Sequence, residues 1–407
     1  MSTRGRSPRE RTNSHSACAR PSLGWRHVRA SRRARDATGA GRMSAGTTGR
    51  AFASYVWQSS SVGARVVRTV LTPLSWLFGA VVSRRNAGFD ARARRGALAV
   101  PALPALSVGN LTVGGTGKTP VASWFVSRLC AGGASPALVL RGYGDDEWRV
   151  HGLLTPGVPV VVAPERAVGL VTARSKQCDC AVLDDAFQHR QVARIADVVL
   201  VSADAWQEPV RLLPSGPYRE PLASLTRASA VVITVKAANV DRVHALRAAI
   251  RRAAPDVPIA QIRLAPGGVR LAATIGGRSR SVPPGLRHDL AWLRGRAVLL
   301  VSAIADPDAF RRQMESAGAV VRHHALYPDH HDFAAGDISD IVARAGPSVD
   351  VLCTLKDAVK LVPLWPPAGA ALWYVSQTVV VEQGAEILEQ VVARVLAARR
   401  AITPTAG

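Results

Sequence analysis

From Leu103 onward, short β-rich apolar runs alternate with segments of helical period. Strands are expected at Leu103–Val108, Ala137–Leu140, Val158–Val162, Ala181–Leu183, Val198–Val201 and Val231–Thr234, with helices such as Val121–Leu129 and Arg166–Ser175 between several of them. Strands alternating with helices imply a parallel sheet covered on both faces. A second α/β set follows, with strands at Ala297–Val301, Val349–Cys353 and Ala371–Val375 and helices at Pro307–Ser316 and Ala385–Arg399. Between the sets, Ala265 to Leu293 is rich in Gly, Pro and Arg with little periodicity, and reads as a linker. Two α/β lobes joined in this way would enclose a cleft suited to two substrates.

Ahead of the sheet, Thr69–Val82 is apolar for fourteen residues between Arg68 and the pair Arg84–Arg85, with Pro73 inside it. A spanning helix needs about 20 apolar residues. With Trp76 and basic flanks, this segment is expected as a helix lying in or dipping into one leaflet; a buried helix of the soluble core is the alternative. The expected organisation is a basic, solvated tail over 1–60, a membrane-associated helical segment over 61–100, a first α/β lobe over 101–264, the linker over 265–293 and a second, smaller α/β lobe over 294–407.

Charge sharpens this division. Of the net +23, residues 1–100 supply +16, from nineteen Arg against Glu10, Asp36 and Asp90. A basic end on a nearly balanced body points to a polyanionic surface, lipid headgroups or nucleic acid. Nucleic acid would call for basic residues on the folded body, so it is not expected as a partner. The basic N-terminal stretch holds no apolar signal-peptide core, and Met43 is expected as an alternative start. The five cysteines, Cys18, Cys130, Cys178, Cys180 and Cys353, make no disulfide framework and suit a reducing compartment.

The chemistry begins at TVGGTGKTP, Thr112–Pro120, placed after a strand and before a helix as a phosphate-binding loop must be. Thr112, Val113, Gly114, Gly115, Thr116, Gly117, Lys118 and Thr119 are the candidate nucleotide contacts. Glycines let successive N–H groups turn toward an anion, and the helix start adds free donors and a positive dipole end. Lys118 would reach the β- and γ-phosphates and the Thr119 hydroxyl would ligate Mg²⁺. The strict loop pattern has Gly where this chain has Thr112. The fold class expected is therefore α/β, a P-loop NTPase-like parallel sheet.

Three further constellations follow. DCAVLDDAFQHR, Asp179–Arg190, is an apolar strand ending in Asp184 and Asp185, hard carboxylates suited to Mg²⁺. RGYGDDEW, Arg141–Trp148, sets Asp145, Asp146 and Glu147 together, which repel one another unless a cation faces them; solvated loop acids are the plain alternative. HHALYPDHHDF, His323–Phe333, concentrates His with Asp329 and Asp332. That set suits general-base work, and its alternatives are a zinc site or a histidine-rich surface loop.

Taken in order, PLSWLFGAVVSRRN, SVGNLTVGGTGKTP, RGYG, GVPVVVAPER, LDDAFQHR, LLPSGPYREPLASLTRASAVVIT, YPDHHDF and TLKDAVKL resemble the tetraacyldisaccharide 4′-kinase family, over roughly Val66 to Val392. The resemblance implies a lipid kinase at the cytoplasmic face of the bacterial inner membrane. It would transfer the γ-phosphoryl of ATP to a tetraacyldisaccharide 1-phosphate, with anionic membrane lipids as its surface. It places the catalytic acid on Asp146, followed by Glu147, the catalytic His on His330, and the paired metal acids on Asp184 and Asp185. The shortened stretch after RGYG leaves Asp145 as an alternative to Asp146. Leu355 stands where members commonly carry Glu, which leaves a non-catalytic homologue as one alternative. A ParA-like or dethiobiotin-synthase-like NTPase is another, although the ParA-like loop has Lys where this chain has Val113.

Overall fold

The computed structural model describes residues 59–402 except 143–146, 274–285, 305, 330 and 367–369, together with 53 and 55–57. Most of the expected basic tail, and Asp145, Asp146 and His330, lie outside the described residues. In chain order the strands are β1 (Ala105–Asn110), β2 (Pro136–Leu140), β3 (Val160–Val162), β4 (Cys180–Asp184), β5 (Ala196–Ser202), β6 (Ala230–Val235), β7 (Ile259–Ala273), β8 (Arg287–His288), β9 (Ala297–Ser302), β10 (Val320–Leu326), β11 (Asp350–Thr354) and β12 (Leu372–Gln383). The helices are α1 (Val62–Arg94), α2 (Lys118–Ala131), α3 (Glu147–Leu154), α4 (Arg166–Ser175), α5 (Val240–Ala253), α6 (Pro307–Ser316), α7 (Ala335–Ala345), α8 (Leu355–Leu361) and α9 (Ala385–Ile402).

All the strands belong to one sheet, ordered β10-β9-β11-β12-β7-β6-β5-β1-β4-β2-β3, with β8 on β7. From β7 to β3 neighbouring strands are parallel, and so they are from β10 to β12. The two parallel halves meet at the antiparallel pair β7–β12. Strands β1, β2, β4 and β6 are buried along their whole length, as strands covered on both faces must be. Helix α2 supplies one cover, through Val121, Ala122, Phe125, Val126 and Leu129 at helical spacing.

The linker expected over 265–293 is only partly one. Residues 265–273 are the second half of β7, and Arg287–His288 form β8. The run Ala265-Pro266-Gly267-Gly268 carries turn signals because the pair bends there: the β7–β12 register shifts between Val375 and Gln377, opposite Pro266. The carboxyl end of β6 stops level with Arg263 of β7, and that of β11 stops beside Val375, opposite Val269. Both parallel halves therefore aim their carboxyl ends at the middle of one two-stranded ribbon. Roughly 20 Å of strand separates them, at about 3.3 Å per residue. This is the cleft.

The second boundary also changes. Helix α9, expected in the second lobe, packs Leu388, Val391, Val392 and Val395 into the first half's core with Phe125 and Leu264. The chain exits β12 through residues that pair with the first half of β7, so the nearest apolar surface is there.

Helix α1 is 33 residues long, not the fourteen its apolar stretch suggested, and Pro73 lies inside it. By length and composition it is long and apolar enough to cross a membrane. Its two faces differ, however. Val62, Val66, Val70, Leu74, Leu77 and Val81 are exposed along one side at spacings of three and four. The other side is fastened to the segment Leu212–Glu220. Ser75 Oγ donates to the Leu212 carbonyl at 3.0 Å and meets Ser215 Oγ at 2.7 Å, and Asn86 Nδ2 donates to Glu220 Oε2 at 3.0 Å. Glu220 is fully buried and also takes Arg227 at 2.7 Å and Arg85 at 3.4 Å. A helix bonded along one face leaves its other, apolar face exposed, which is compatible with membrane association.

In the second half, Thr354 caps α8 and Asp357 is buried beneath it. The Asp357 carboxylate accepts from Ala303 N–H at 3.2 Å and from the Thr354 hydroxyl at 2.6 Å. Burial pushes its carboxyl up to about 6. The folded protein thus keeps this proton to higher pH than the unfolded chain, whose carboxyl releases it near 3.8. Stability linked to the neutral form is complete below that lower value and is lost as pH rises through about 6. The loss should be on the order of 3 kcal/mol between about pH 4 and pH 7. Denaturant unfolding across that range should show this fall in the wild type and not in Asp357→Asn; an equal slope in both would refute the assignment.

Candidate active site

The phosphate loop runs from the end of β1 to the start of α2. Gly117 caps α2 at φ +87°, and a Cβ there would overlap the Leu264 side chain from the ribbon. Gly109 meets the turn after β4 so closely that a Cβ would lie 2.6 Å from Phe187 Cβ. Both positions admit only glycine, for backbone and for contact reasons respectively.

Thr112, at the position where the strict pattern has glycine, forms an antiparallel bridge with Tyr218. Leu111 O accepts from Arg219 N–H at 2.7 Å, and Val113 N–H donates to Pro217 O at 2.8 Å. The loop's first half is thus extended and paired, a conformation any L-residue adopts, and glycine is required only further on. Thr116 is buried: its hydroxyl takes Asn110 Nδ2 at 2.9 Å, and its carbonyl takes the Thr234 hydroxyl at 3.0 Å. Val113, Gly114 and Gly115 form the exposed lip, with Thr119 half-buried on the first turn of α2.

Arg219 closes the site. Its guanidinium donates to Asn110 Oδ1 and, through both Nη atoms, to Asp185 at 3.2 and 2.9 Å. Lys118 Nζ lies 3.9 Å from the same carboxylate. Burial lowers the Lys118 ammonium from its usual range, against the charges of Asp185 and Asp184. Burial would raise Asp185, but Lys118 and Arg219 outweigh it and hold the carboxyl low. Asp185 sits at φ +49°, a left-handed turn that Asp tolerates.

Asp184, one residue earlier at the end of β4, is differently placed. Its Oδ2 meets His151 Nε2 at 3.0 Å and its carbonyl takes Arg166 Nη2 at 2.7 Å. Its Oδ1 is buried with no hydrogen-bond partner. A buried carboxylate oxygen without a donor is costly unless a cation faces it. A carboxylate oxygen is a hard donor of the kind that suits a divalent ion such as Mg²⁺. Of the paired acids, Asp184 keeps a free oxygen, whereas Asp185 is engaged by Arg219 and Lys118. Glu147 opens α3, and its charge is felt at both Lys118 and Arg166.

The histidine segment lies at the carboxyl rim of the second half. His331 Nε2 meets Asp337 Oδ2 at 2.9 Å and its ring stacks on Tyr327. Lys360 donates to His331 O at 3.1 Å and to Asp332 at 3.2 Å. His324 Nε2 meets Ser302 Oγ at 2.8 Å, and His323 takes Arg344. The three imidazoles thus each have a different partner. Among the described residues, no group of three or more His, Cys, Asp and Glu side chains gathers as a metal site.

Sequence reasoning gave no role to Asn110, His151, Arg166 or Arg219. Arg219 lies within the quoted LLPSGPYREPL block, Arg166 closes GVPVVVAPER and Asn110 lies in SVGNLTVGGTGKTP, whereas His151 falls outside every quoted block. Leu355, feared as a lost carboxylate, is buried in the apolar cluster that joins Val150 to Leu299 and Val351.

A family model described as tetraacyldisaccharide-1-P 4′-kinase matches residues 67–396. A tetraacyldisaccharide 4′-kinase from Anaeromyxobacter dehalogenans (strain 2CP-C) is 37% identical over 79% of this chain and 92% of that protein. One from Halorhodospira halophila is 32% identical over 81% and 93%. The crystal structure of the "apo" form of LpxK from Aquifex aeolicus in complex with ATP superposes with a TM-score of 0.62 at 24% identity. The match covers 81% of this chain and 99% of that one, a likeness of fold.

If Arg219 braces the loop, Arg219→Ala should lower the unfolding free energy by about 2 kcal/mol, because it strands the buried Asn110 oxygen and half of the Asp185 pairing. Chemical denaturation measures this; an unchanged midpoint would remove Arg219 from the site's framework.

Proposed function

The chain belongs to the tetraacyldisaccharide-1-P 4′-kinase family, and from that premise we propose that it transfers the γ-phosphoryl of ATP to the 4′-hydroxyl of a tetraacyldisaccharide 1-phosphate, giving the 4′-phosphorylated lipid A precursor. The supporting observation is a phosphate loop that opens, beside the β7–β12 ribbon, onto the cleft toward which the second half's strands also point. Phosphoryl transfer asks the protein chiefly for positioning, charge neutralisation and a proton acceptor.

In this reading the loop amides from Val113 to Thr119 and the Lys118 ammonium grip the β- and γ-phosphates. Mg²⁺, held by the Thr119 hydroxyl and Asp184 with Asp185 and Glu147 near, would supply charge neutralisation on the phosphate oxygens. Asp146 and His330 together accept the proton of the 4′-hydroxyl. The exposed stripe of α1 and its basic flanks hold the enzyme on anionic lipids at the cytoplasmic face of the bacterial inner membrane, where a tetraacylated acceptor resides.

The deciding experiment supplies γ-labelled ATP, Mg²⁺ and the tetraacyldisaccharide 1-phosphate and follows label into lipid by chromatography. In that assay Lys118→Ala should lower kcat at least about a hundredfold, since a charge contact to the transferring group is gone. Near-normal turnover would sink the phosphate-loop role.

Asp146 and His330 give a sharper outcome. Each single substitution to Ala should lower kcat strongly with little change in the KM for ATP, because a proton acceptor is felt mainly in the transition state. The double substitution should cost little more than the worse single one. A dispensable Asp146 beside an essential Asp145 would move the role by one residue; full activity in His330→Ala would end the pairing.

A further inference from the structure

Helix α3 holds a histidine that the reaction scheme leaves without a task. His151 is fully buried, and both ring nitrogens are engaged. Nε2 lies 3.0 Å from Asp184 Oδ2, and Nδ1 lies 3.3 Å from the hydroxyl of Ser123 on α2. The neutral tautomer with its proton on Nε2 satisfies both contacts, donating to the carboxylate and accepting from Ser123. With Oδ2 so held and the Asp184 backbone carbonyl fixed by Arg166, the carboxylate cannot rotate freely, and its partnerless Oδ1 keeps one direction.

Neighbouring residues on α3 look the other way. Val150, Leu153 and Leu154 pack into the second half's core with Leu355. One turn earlier the helix begins at Glu147. A single side chain thus ties the helix that opens with an acid to the strand end that carries Asp184.

We propose that His151 is a positioning residue that sets the metal-facing oxygen of Asp184 for a divalent cation bound with nucleotide, an inference that rests on the Mg²⁺ reading above. Outer partners that orient a ligating side chain are typically worth about 10- to 100-fold in metal affinity or activity. His151→Asn keeps a polar group near the Nδ1 position and loses the donor to Asp184. His151→Gln places an amide N–H close to where Nε2 stood.

The test uses the full-length protein with Mn²⁺ in place of Mg²⁺ and a non-hydrolysable ATP analogue, with bound Mn²⁺ read by electron paramagnetic resonance. The His151→Asn protein should bind Mn²⁺ about 10- to 100-fold more weakly, and His151→Gln should recover most of the loss at a similar melting temperature. Wild-type affinity in a folded His151→Asn protein overturns the proposal. So does a folded His151→Gln protein that binds as weakly as the Asn variant, since bulk rather than the donor would then matter. Should His151→Asn fail to fold, His151→Gln decides alone: affinity near wild type supports the role, and weak binding overturns it. If the wild type itself holds no Mn²⁺ with nucleotide, the Mg²⁺ reading falls and takes this proposal with it, an outcome distinct from a wild type that binds and a variant that binds equally.

Discussion

A glycine loop shaped to receive phosphates has almost no side chains with which to hold itself, so it must be held from outside. Here the constraint is the dipeptide Arg219–Glu220, whose two side chains diverge. Arg219 reaches Asn110 and Asp185 at the ends of β1 and β4, while its own N–H continues the pairing that keeps Thr112 extended. Glu220, fully buried, faces the opposite way and gathers Asn86, Arg85 and Arg227. A buried carboxylate survives only with several donors, and two of its three come from α1. The phosphate loop and the apolar helix are therefore fastened to one another through adjacent residues of one segment, and the nucleotide site of this lipid kinase is framed from the side of its apolar helix.

The alternation of strands and helices was readable because each central strand is buried on both faces and each covering helix keeps one apolar stripe. Arg166–Ser175 and Pro307–Ser316 fall at the bounds their patterns gave. Where reading failed, tertiary structure overrode a local signal. The Ala265–Gly268 run looks like a turn because it is a bend, yet the strand continues through it on hydrogen bonds to β12, which no local pattern can announce. Strand β10, whose HHAL residues are largely exposed or half-buried at the sheet's edge, has too little apolar alternation to stand out. The ligand-facing loop was legible from Gly117, Lys118 and Thr119. Its frame was not, because Arg219 and Asn110 lie 109 positions apart and meet only in the fold.

The ends of the two parallel halves could have faced away from each other. They face together because β7 and β12 run antiparallel and each is long enough to pair with a different half along its length. Twelve- and fifteen-residue strands are unusual against a typical five or six, and their excess length is what spans the cleft. A shorter ribbon would have brought Leu264 and Gly117 against the second half's rim and left no room for two substrates.

Among the described residues the ribbon is one connection across that cleft and α3 is another, and its packing explains why Leu355 need not be read as a defect. A carboxylate at a position only 9% exposed, among Val150, Leu299 and Val351, would require its own partner. Leucine there needs none and adds apolar area between α3 and α8. The first turn of α8 is secured by Thr354 and Asp357, so residue 355 is free to serve the interface. The helix that opens with Glu147 is then gripped on one side by the second half's core and on the other by His151 at Asp184. Through α3, a shift of the second half relative to the first would be felt at a side chain that touches the carboxylate beside the phosphate loop.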